Sequence, residues 1–163
     1  MIVEDGTQVE NSNSYVSLLE ANLYFQDRTH SSSWENFDDK SKALITASSM
    51  LDWSLDWKGE KTSPSQSMEF PRQKLLLDTG DYLDTDIIPK NLKVATFELA
   101  LASLEKDRAK GFDLAGLDSI QISSLKISTN QQIGLNQAKK IIPDVVKHIL
   151  GDLINSGIRL VRA

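Results

Sequence analysis

The fold is decided by the stretch PKNLKVATFELALASLEKDR, residues 89–108. Leu92, Ala95, Leu99 and Ala102 recur every three or four residues, the spacing of an amphipathic helix with one buried face. Phe97 and Leu101 flank and widen this face. Because a proline suits the first position of a helix, where its missing N–H costs nothing, the helix is predicted to begin at Pro89. This is the strongest helical pattern in the chain, and the other elements are expected to pack around it.

Three further helices are predicted on either side of this stretch. Ser17 and Glu20 form a capping box, which predicts a helix from there to about residue 28. Asp38 or Asp39 would cap a second helix that runs to about Trp57. A last helix would begin at Pro143 and stop at Gly157. The residues expected to face inward in the first two helices are Leu19, Leu23, Gln26, Leu18, Tyr24 and Phe25, and then Ala43, Leu44, Ala47, Ser48, Met50 and Leu51.

These elements predict a mainly α fold with a small β element. Alternating Ile120/Ile122 and Leu125/Ile127 suggest two short strands near 119–129. One domain is predicted over residues 1–157, followed by an extended tail over residues 158–163. Leu51, Leu99 and Leu150 lie on the apolar stripes of three helices and are predicted to be deeply buried. The stripe of the last helix consists of Val146, Ile149, Leu150 and Leu153.

Composition restricts the class of protein. The chain has 163 residues, 40% hydrophobic and 25% charged, which is typical of a folded domain. It contains no cysteine, so disulfides and thiolate chemistry are excluded. The N-terminus lacks the layout of a signal peptide and no apolar run could span a membrane, which predicts a protein that is neither secreted nor membrane-bound.

Charge is distributed unevenly along the chain. The formal net charge is −5, but residues 1–118 have a net charge of −9 and residues 119–163 have one of +4. An acidic body is a poor candidate for wrapping duplex DNA, because phosphate contacts provide most of that affinity. The basic end would suit an acidic partner or another copy of the chain. The alternative is that surface charge varies along the sequence without a binding role.

No motif predicts catalysis or a cofactor. The two histidines, His30 and His148, are far apart in sequence and have no carboxylate at ligand spacing. There is no phosphate-binding loop, no dinucleotide fingerprint and no nucleophile elbow. The acidic stretch 78–86 does not have the spacing of a calcium loop and is interpreted as a solvated loop. The chain is therefore predicted to be neither an enzyme nor a metal or nucleotide carrier.

Two segments could contact a partner. Trp53 and Trp57 are four residues apart and lie near Lys58, Lys61 and Arg72, so they could stack on the bases of a single strand. The alternative, which is more common for such a pair, is burial in the core or at a subunit interface. The second segment is the apolar and basic tail, which could dock on a partner or fold back over its own core. Its candidate partner-binding residues are Ile158, Arg159, Leu160, Val161 and Arg162.

The order of several short motifs resembles one family. The motifs are Val3–Thr7, Asn13–Ser17, Tyr24-Phe25 with Arg28, Trp34, Ala43-Leu44-Ile45, Leu51-Asp52, Trp57-Lys58-Gly59, Gln66 with Phe70-Pro71-Arg72, Ile88-Pro89, Lys93-Val94-Ala95 with Glu98-Leu99-Ala100, and Ile142-Pro143. They resemble the head–tail connector (adaptor) proteins of tailed bacteriophages, often labelled DnaT-like single-stranded-DNA-binding proteins. The resemblance covers about residues 3–105 and 142–154, and it is weaker over 111–141.

The resemblance implies a structural virion protein. Such a protein would form a cyclic homo-oligomer, expected to be a dodecamer, that joins the portal protein to the tail or a tail-completion protein. Genomic double-stranded DNA would pass through its lumen, and the C-terminal tail would dock on the portal. It would be found in the virion at the head–tail interface, and in the host cytoplasm during assembly. The alternative is a single-stranded-DNA-binding module that uses Trp53, Trp57, Lys58, Lys61 and Arg72.

Overall fold

A computed structural model describes residues 1–105 and 141–155 of the chain. They form a mainly α fold, as predicted. The elements, in chain order, are α1 (Leu18–Gln26), α2 (Ser32–Glu35), α3 (Lys40–Ser54), β1 (Glu60–Lys61), β2 (Arg72–Gln73), α4 (Lys90–Glu105), α5 (Asp144–Leu150) and a 3₁₀ turn (Gly151–Leu153). The predicted strands near 119–129 and the tail 158–163 lie outside the described residues. The last helix was predicted to run from Pro143 to Gly157, and that extent is wrong. Helix α5 ends at Leu150, and after the 3₁₀ turn the backbone is extended at Ile154, where it bridges to Trp57.

Helix α4 is the centre of the packing, as its sequence pattern predicts. It begins directly after Pro89 and packs against α3 on one side and α5 on the other. Leu51 of α3, Leu99 of α4 and Leu150 of α5 are each fully buried, which confirms the predicted core positions. Together they join the three helices in one hydrophobic core. None of the described helices is long and apolar enough to cross a bilayer.

The predicted capping box is present at the start of α1, but the predicted inward face of this helix is only partly right. Phe25 is buried, and Leu18 and Tyr24 pack against the core as expected, whereas Leu19, Leu23 and Gln26 are exposed. The Ser17 hydroxyl accepts from the Glu20 N–H, and the Glu20 carboxylate accepts from the Ser17 N–H. Leu19 and Leu23 are 69% and 54% exposed, whereas Ala21 and Phe25 are buried. The cause is aromatic packing: the Phe25 ring lies against Trp34 and Phe97, and burying it removes more apolar surface from water than either leucine would.

Helix α3 ends three residues earlier than predicted. Its buried residues are the six that the sequence pattern indicates: Ala43, Leu44, Ala47, Ser48, Met50 and Leu51. After Ser54 the backbone becomes extended, because residues 56–58 pair with residues 153–155. The Lys58 N–H donates to the Leu153 carbonyl at 3.0 Å, and the Asn155 N–H donates to the Asp56 carbonyl at 2.8 Å. The Asp39 side chain makes no capping hydrogen bond at the start of α3; its carboxylate pairs with Lys42.

Strands β1 and β2 form a small antiparallel sheet beside this pairing. Lys61 is opposite Arg72, and Glu60 is opposite Gln73. After β2, the segment that leads to α4 turns back on itself, with a bridge between Leu76 and Tyr82. The end of this segment contacts the N-terminal loop closely: a Cβ on Gly6 would lie 2.0 Å from the Asp86 carbonyl oxygen, so only glycine fits at that position.

Candidate nucleic-acid interface

Trp57 does not share a surface with Trp53. Because α3 ends at Ser54, Trp57 lies in the extended segment after the helix, where it is 6% exposed and packs edge-on against the Phe70 ring at 5.0 Å. Its backbone forms a bridge with Ile154. Trp57 is therefore part of the core, as the alternative interpretation of the sequence held, and it cannot stack on a base.

Arg72 is also a structural residue. It is 7% exposed, and its guanidinium donates to the carbonyls of Lys58 and Gly59 at 2.8 and 2.9 Å. It donates in addition to the Glu69 carboxylate at 2.7 Å. These bonds fix the chain around Gly59 to the start of β2. Since the guanidinium is already occupied by protein acceptors, the fold does not leave it free to contact a phosphate.

The two lysines of the predicted set are paired with carboxylates. Lys61 lies 2.9 Å from Glu69, on the sheet. Lys58 lies 3.3 Å from Asp78, whose side chain is 81% exposed. The structure thus separates the five residues that sequence reasoning grouped together: Trp57 and Arg72 are buried, Lys61 pairs on the sheet, and Trp53 and Lys58 remain near the surface.

Trp53 is the exposed aromatic of this region, with 56% of its surface accessible. It lies in the last turn of α3, and the exposed residues of that helix are Lys42, Thr46, Ser49 and Trp53. Their spacing is four, three and four residues, so they form one stripe along the solvent side of the helix. We call these four residues the α3 stripe. It contains no acidic residue, and its one cation, Lys42, lies 2.5 Å from Asp39.

A buried hydrogen-bond network supports the base of the α3 stripe. Asp52, one residue before Trp53, accepts a hydrogen bond from the Tyr15 hydroxyl, and that hydroxyl accepts from the Glu69 and Phe70 N–H groups. Burial raises the pKa of Asp52 to about 6, although the hydrogen bond from Tyr15 acts in the opposite direction. Burial and the neighbouring Asp52 raise the pKa of Tyr15 well above its usual value. The network joins α3 to two other segments and fixes the helix that carries Trp53.

A cleft opens at the C-terminal end of α3, beyond the α3 stripe. Its volume is about 750 Å³, and its lining residues are Ser54, Leu55, Asp56, Lys58, Asp78, Lys147, His148, Gly151, Asp152, Ile154 and Asn155. Three segments meet here: the end of α3, the turn that carries Asp78, and α5 with its 3₁₀ turn. The charged residues are Lys58 and Lys147 against three aspartates. No cluster of three or more metal-ligating side chains occurs in residues 1–105 and 141–155.

The comparison with known protein families decides the assignment. A family model described as "Putative DnaT-like ssDNA binding protein" matches residues 1–163. The chain belongs to this family. No curated protein and no solved structure matches the chain.

This family match contradicts the prediction of a phage head–tail connector. The description of the family names binding of single-stranded DNA, which agrees with the alternative interpretation of the sequence and not with a structural ring. The match gives no support to a homo-oligomeric ring, a portal contact or a tail partner. The connector prediction rested on the resemblance of ordered short motifs, and the family that carries those motifs is described as binding single-stranded DNA. The acidic body without catalytic motifs fits a binding protein equally well. The candidate tail residues 158–162 lie outside the described residues, and their role in partner binding stays a prediction.

Sequence reasoning missed Lys147 and His148 as neighbours of Lys58. They are about 90 residues further along the chain and line the same cleft as Lys58, beside the pairing of residues 153–155 with residues 56–58. The sequence signal for this pairing was weak. Ile154 is a hydrophobic residue directly after Leu153, the last residue of the predicted stripe, and it forms a bridge with Trp57.

Proposed function

We propose that this protein binds single-stranded DNA and that Trp53 is its base-stacking platform. The observation that carries the proposal is the exposure of Trp53 in a chain whose family is described as binding single-stranded DNA. Tryptophan is highly buried on average, so an indole that is 56% exposed calls for a partner. Stacking of a base on an aromatic side chain is worth about 1–3 kcal/mol and tolerates every base.

The surroundings of Trp53 favour it over the other exposed aromatic residues. Tyr82 is 67% exposed but lies between Asp81 and Asp84, and Phe37 is directly followed by two aspartates. A strand that stacked on either ring would bring its phosphates close to carboxylates. Trp53 has Asp52 and Asp56 near it in sequence, but the Asp52 carboxylate is engaged by the Tyr15 hydroxyl, and Asp56 lies beyond the end of α3. The α3 stripe presents Ser49 and Thr46 beside Trp53 instead, and hydroxyl groups can donate to phosphate oxygens.

The charge of the described residues supports a single strand over a duplex as the ligand. Residues 1–105 and 141–155 contain 10 Lys and Arg against 20 Asp and Glu. A body with this balance repels a duplex, whose binding requires many phosphate contacts. Stacking on bases, which a single strand exposes and a duplex hides, supplies affinity without such contacts. We also propose that the chain acts by binding alone and is not an enzyme.

The test is binding of oligothymidine longer than the roughly 4–16 nucleotides that a single-strand site covers. Trp34 and Trp57 are 2% and 6% exposed, so quenching of the intrinsic fluorescence by DNA would report on Trp53. We expect quenching by oligothymidine, and little by a duplex of the same length. Anisotropy of a labelled oligothymidine gives the affinity independently.

Matched variants locate the site. Trp53→Ala is expected to weaken binding about tenfold, in line with the loss of one stacked base, and Trp53→Phe to retain most of it. Tyr82→Ala is the control, because it removes a more exposed ring from the acidic segment and should leave affinity unchanged. Absence of binding by the unaltered chain would contradict the proposed function. Equal affinities for the chain and Trp53→Ala would contradict the role of Trp53.

A further inference from the structure

The cleft next to the α3 stripe has the features of a phosphate site that is partly occupied by the protein itself. We infer that Lys58 and Lys147 contact the backbone of the bound strand there, and that Asp78 competes with the strand for Lys58. This inference rests on the proposed binding of single-stranded DNA. It adds which residues meet the phosphates and which residue limits the affinity.

Lys58 is rigidly placed at the cleft. Its N–H donates to the Leu153 carbonyl, and its own carbonyl accepts from the Arg72 guanidinium at 2.8 Å. Both backbone groups are therefore bonded, and the side chain, of which 28% is exposed, is the part left to move. A cation on a fixed backbone loses less conformational freedom on binding than one on a mobile loop.

Asp78 is presented to Lys58 from a tight turn. The Leu77 N–H donates to the Asp81 carbonyl at 2.9 Å, and the Gly80 N–H donates to the Leu77 carbonyl at the same distance. The Asp78 N–H donates to the Asp152 carboxylate across the cleft at 3.0 Å, which fixes the turn to the segment after α5. The Asp78 carboxylate then lies 3.3 Å from the Lys58 ammonium.

The Asp78 carboxylate takes the position that a phosphate oxygen would need. Both groups are anionic oxygen acceptors for the same ammonium, so a strand can contact Lys58 fully only when Asp78 releases it. The release is easy, because the Asp78 side chain is 81% exposed and such ion pairs are weak in water. The competition therefore lowers the affinity without closing the site.

Lys147 and Gly151 complete the phosphate site. Lys147 lies in the last turn of α5, is exposed, and has no ion-pair partner within 4.0 Å among residues 1–105 and 141–155. Gly151, on the same side, leaves open space: a Cβ placed there would meet no atom within 4 Å. Asp56 and Asp152 remain in the lining, so the charged side chains of the cleft become balanced once Asp78 is neutralised.

The experiment compares Asp78→Asn with Asp84→Asn. Both variants remove one negative charge from the segment between β2 and α4, but Asp84 is exposed and is not in the cleft lining. We expect Asp78→Asn to bind oligothymidine about two- to fivefold more tightly than Asp84→Asn. Its plot of log affinity against log salt should be steeper by about 0.7, the slope that one more phosphate contact adds for a single strand. Thermal melting checks that both variants fold.

Lys58→Met provides the second half of a double-mutant cycle. If Asp78 acts by occupying Lys58, the gain from Asp78→Asn should disappear when Lys58 is already replaced. Equal affinities and slopes for Asp78→Asn and Asp84→Asn, or a gain that persists in the Lys58→Met background, would overturn the inference while binding itself stands. If neither the unaltered chain nor any variant binds oligothymidine, the proposed function fails first.

Discussion

Two neighbouring tryptophans, one at the end of α3 and one in the segment directly after it, differ strongly in exposure. Trp53 is 56% exposed on the α3 stripe, and Trp57 is 6% exposed against Phe70. Four residues apart on a continuous helix, the two rings would lie on one face. They lie in different environments because the helix ends between them, at Ser54.

The difference shows that residue spacing predicts a shared face only when both residues belong to the same helix or strand. What ends α3 is a pairing with residues 153–155, almost a hundred positions along the chain. The extended segment turns Trp57 inward, whereas Trp53 keeps the outward direction of its helix. The same pairing joins the two segments whose Lys58 and Lys147 line one cleft, so one long-range contact decides both which tryptophan is available and which lysines line this cleft.

The largest difference between the two tryptophans should appear in stability. Trp57→Ala is expected to lower the free energy of unfolding by about 3–5 kcal/mol, because it leaves a large cavity in the core. The measurement is urea denaturation followed by circular dichroism. Trp57→Phe is the control: the Trp57 Nε1 has no hydrogen-bond partner among the described residues, so a phenyl ring loses no bond and should cost far less. Similar losses of stability for Trp57→Ala and Trp57→Phe would contradict the claim that ring packing is the main contribution of Trp57.

Local patterns were sufficient for much of the fold. The α4 stripe, the capping box at Ser17 and the six buried positions of α3 were all predicted from spacing and cap chemistry. Each is decided within a few residues of sequence. The centre of the inward face of α1 was wrongly placed at Leu19 and Leu23, because α1 has only nine residues and the rings of Trp34 and Phe97 draw Phe25 inward instead.

The next largest effect is expected in the pH dependence of stability, through Asp52 of α3. The pKa of Asp52 is raised from 3.8 to about 6 in the folded chain, so its protonated form is favoured by folding. The resulting stability is present below pH 3.8 and is lost as the pH rises through 6, by about 3 kcal/mol in total. Asp52→Asn does not titrate, so the stability of the unaltered chain relative to this variant should fall between pH 4 and pH 7. A difference that stays constant over this range would show that Asp52 is not held in the protonated form.

The candidate site was harder to predict than the fold. Sequence reasoning grouped Trp53 and Lys58 because they are close in the chain, and both remain near the surface. It also included Arg72, whose burial follows from hydrogen bonds to two carbonyls around Gly59. Whether a cation is free for a ligand depends on which acceptors the fold places around it, and these acceptors cannot be predicted from local sequence patterns.

Arg72 and Lys61 test the difference between a buried and a partly exposed cation, with smaller expected effects on stability. Arg72→Met should cost about 1.5–3 kcal/mol of stability, because the hydrogen bonds from its charged guanidinium to the Lys58 and Gly59 carbonyls are lost. Lys61→Met, which also breaks a contact to Glu69, should cost less than about 1 kcal/mol, since that ion pair is partly exposed. Neither variant should weaken oligothymidine binding at equal folded fraction. Loss of binding in folded Arg72→Met would return Arg72 to the interface.

The smallest expected effect on stability belongs to Trp53→Ala. More than half of the indole is already in water, its neighbours on the α3 stripe are hydroxyl residues, and alanine is the better helix former. These contributions oppose each other, so the free energy of unfolding should change by less than about 0.5 kcal/mol. The same variant is the one expected to lose about tenfold in affinity for oligothymidine. Trp57→Ala would show the reverse, a large loss of stability, with binding that follows only the folded fraction. If Trp53→Ala instead melts as early as Trp57→Ala, Trp53 is a packing residue, and the exposed ring is not available to a DNA strand.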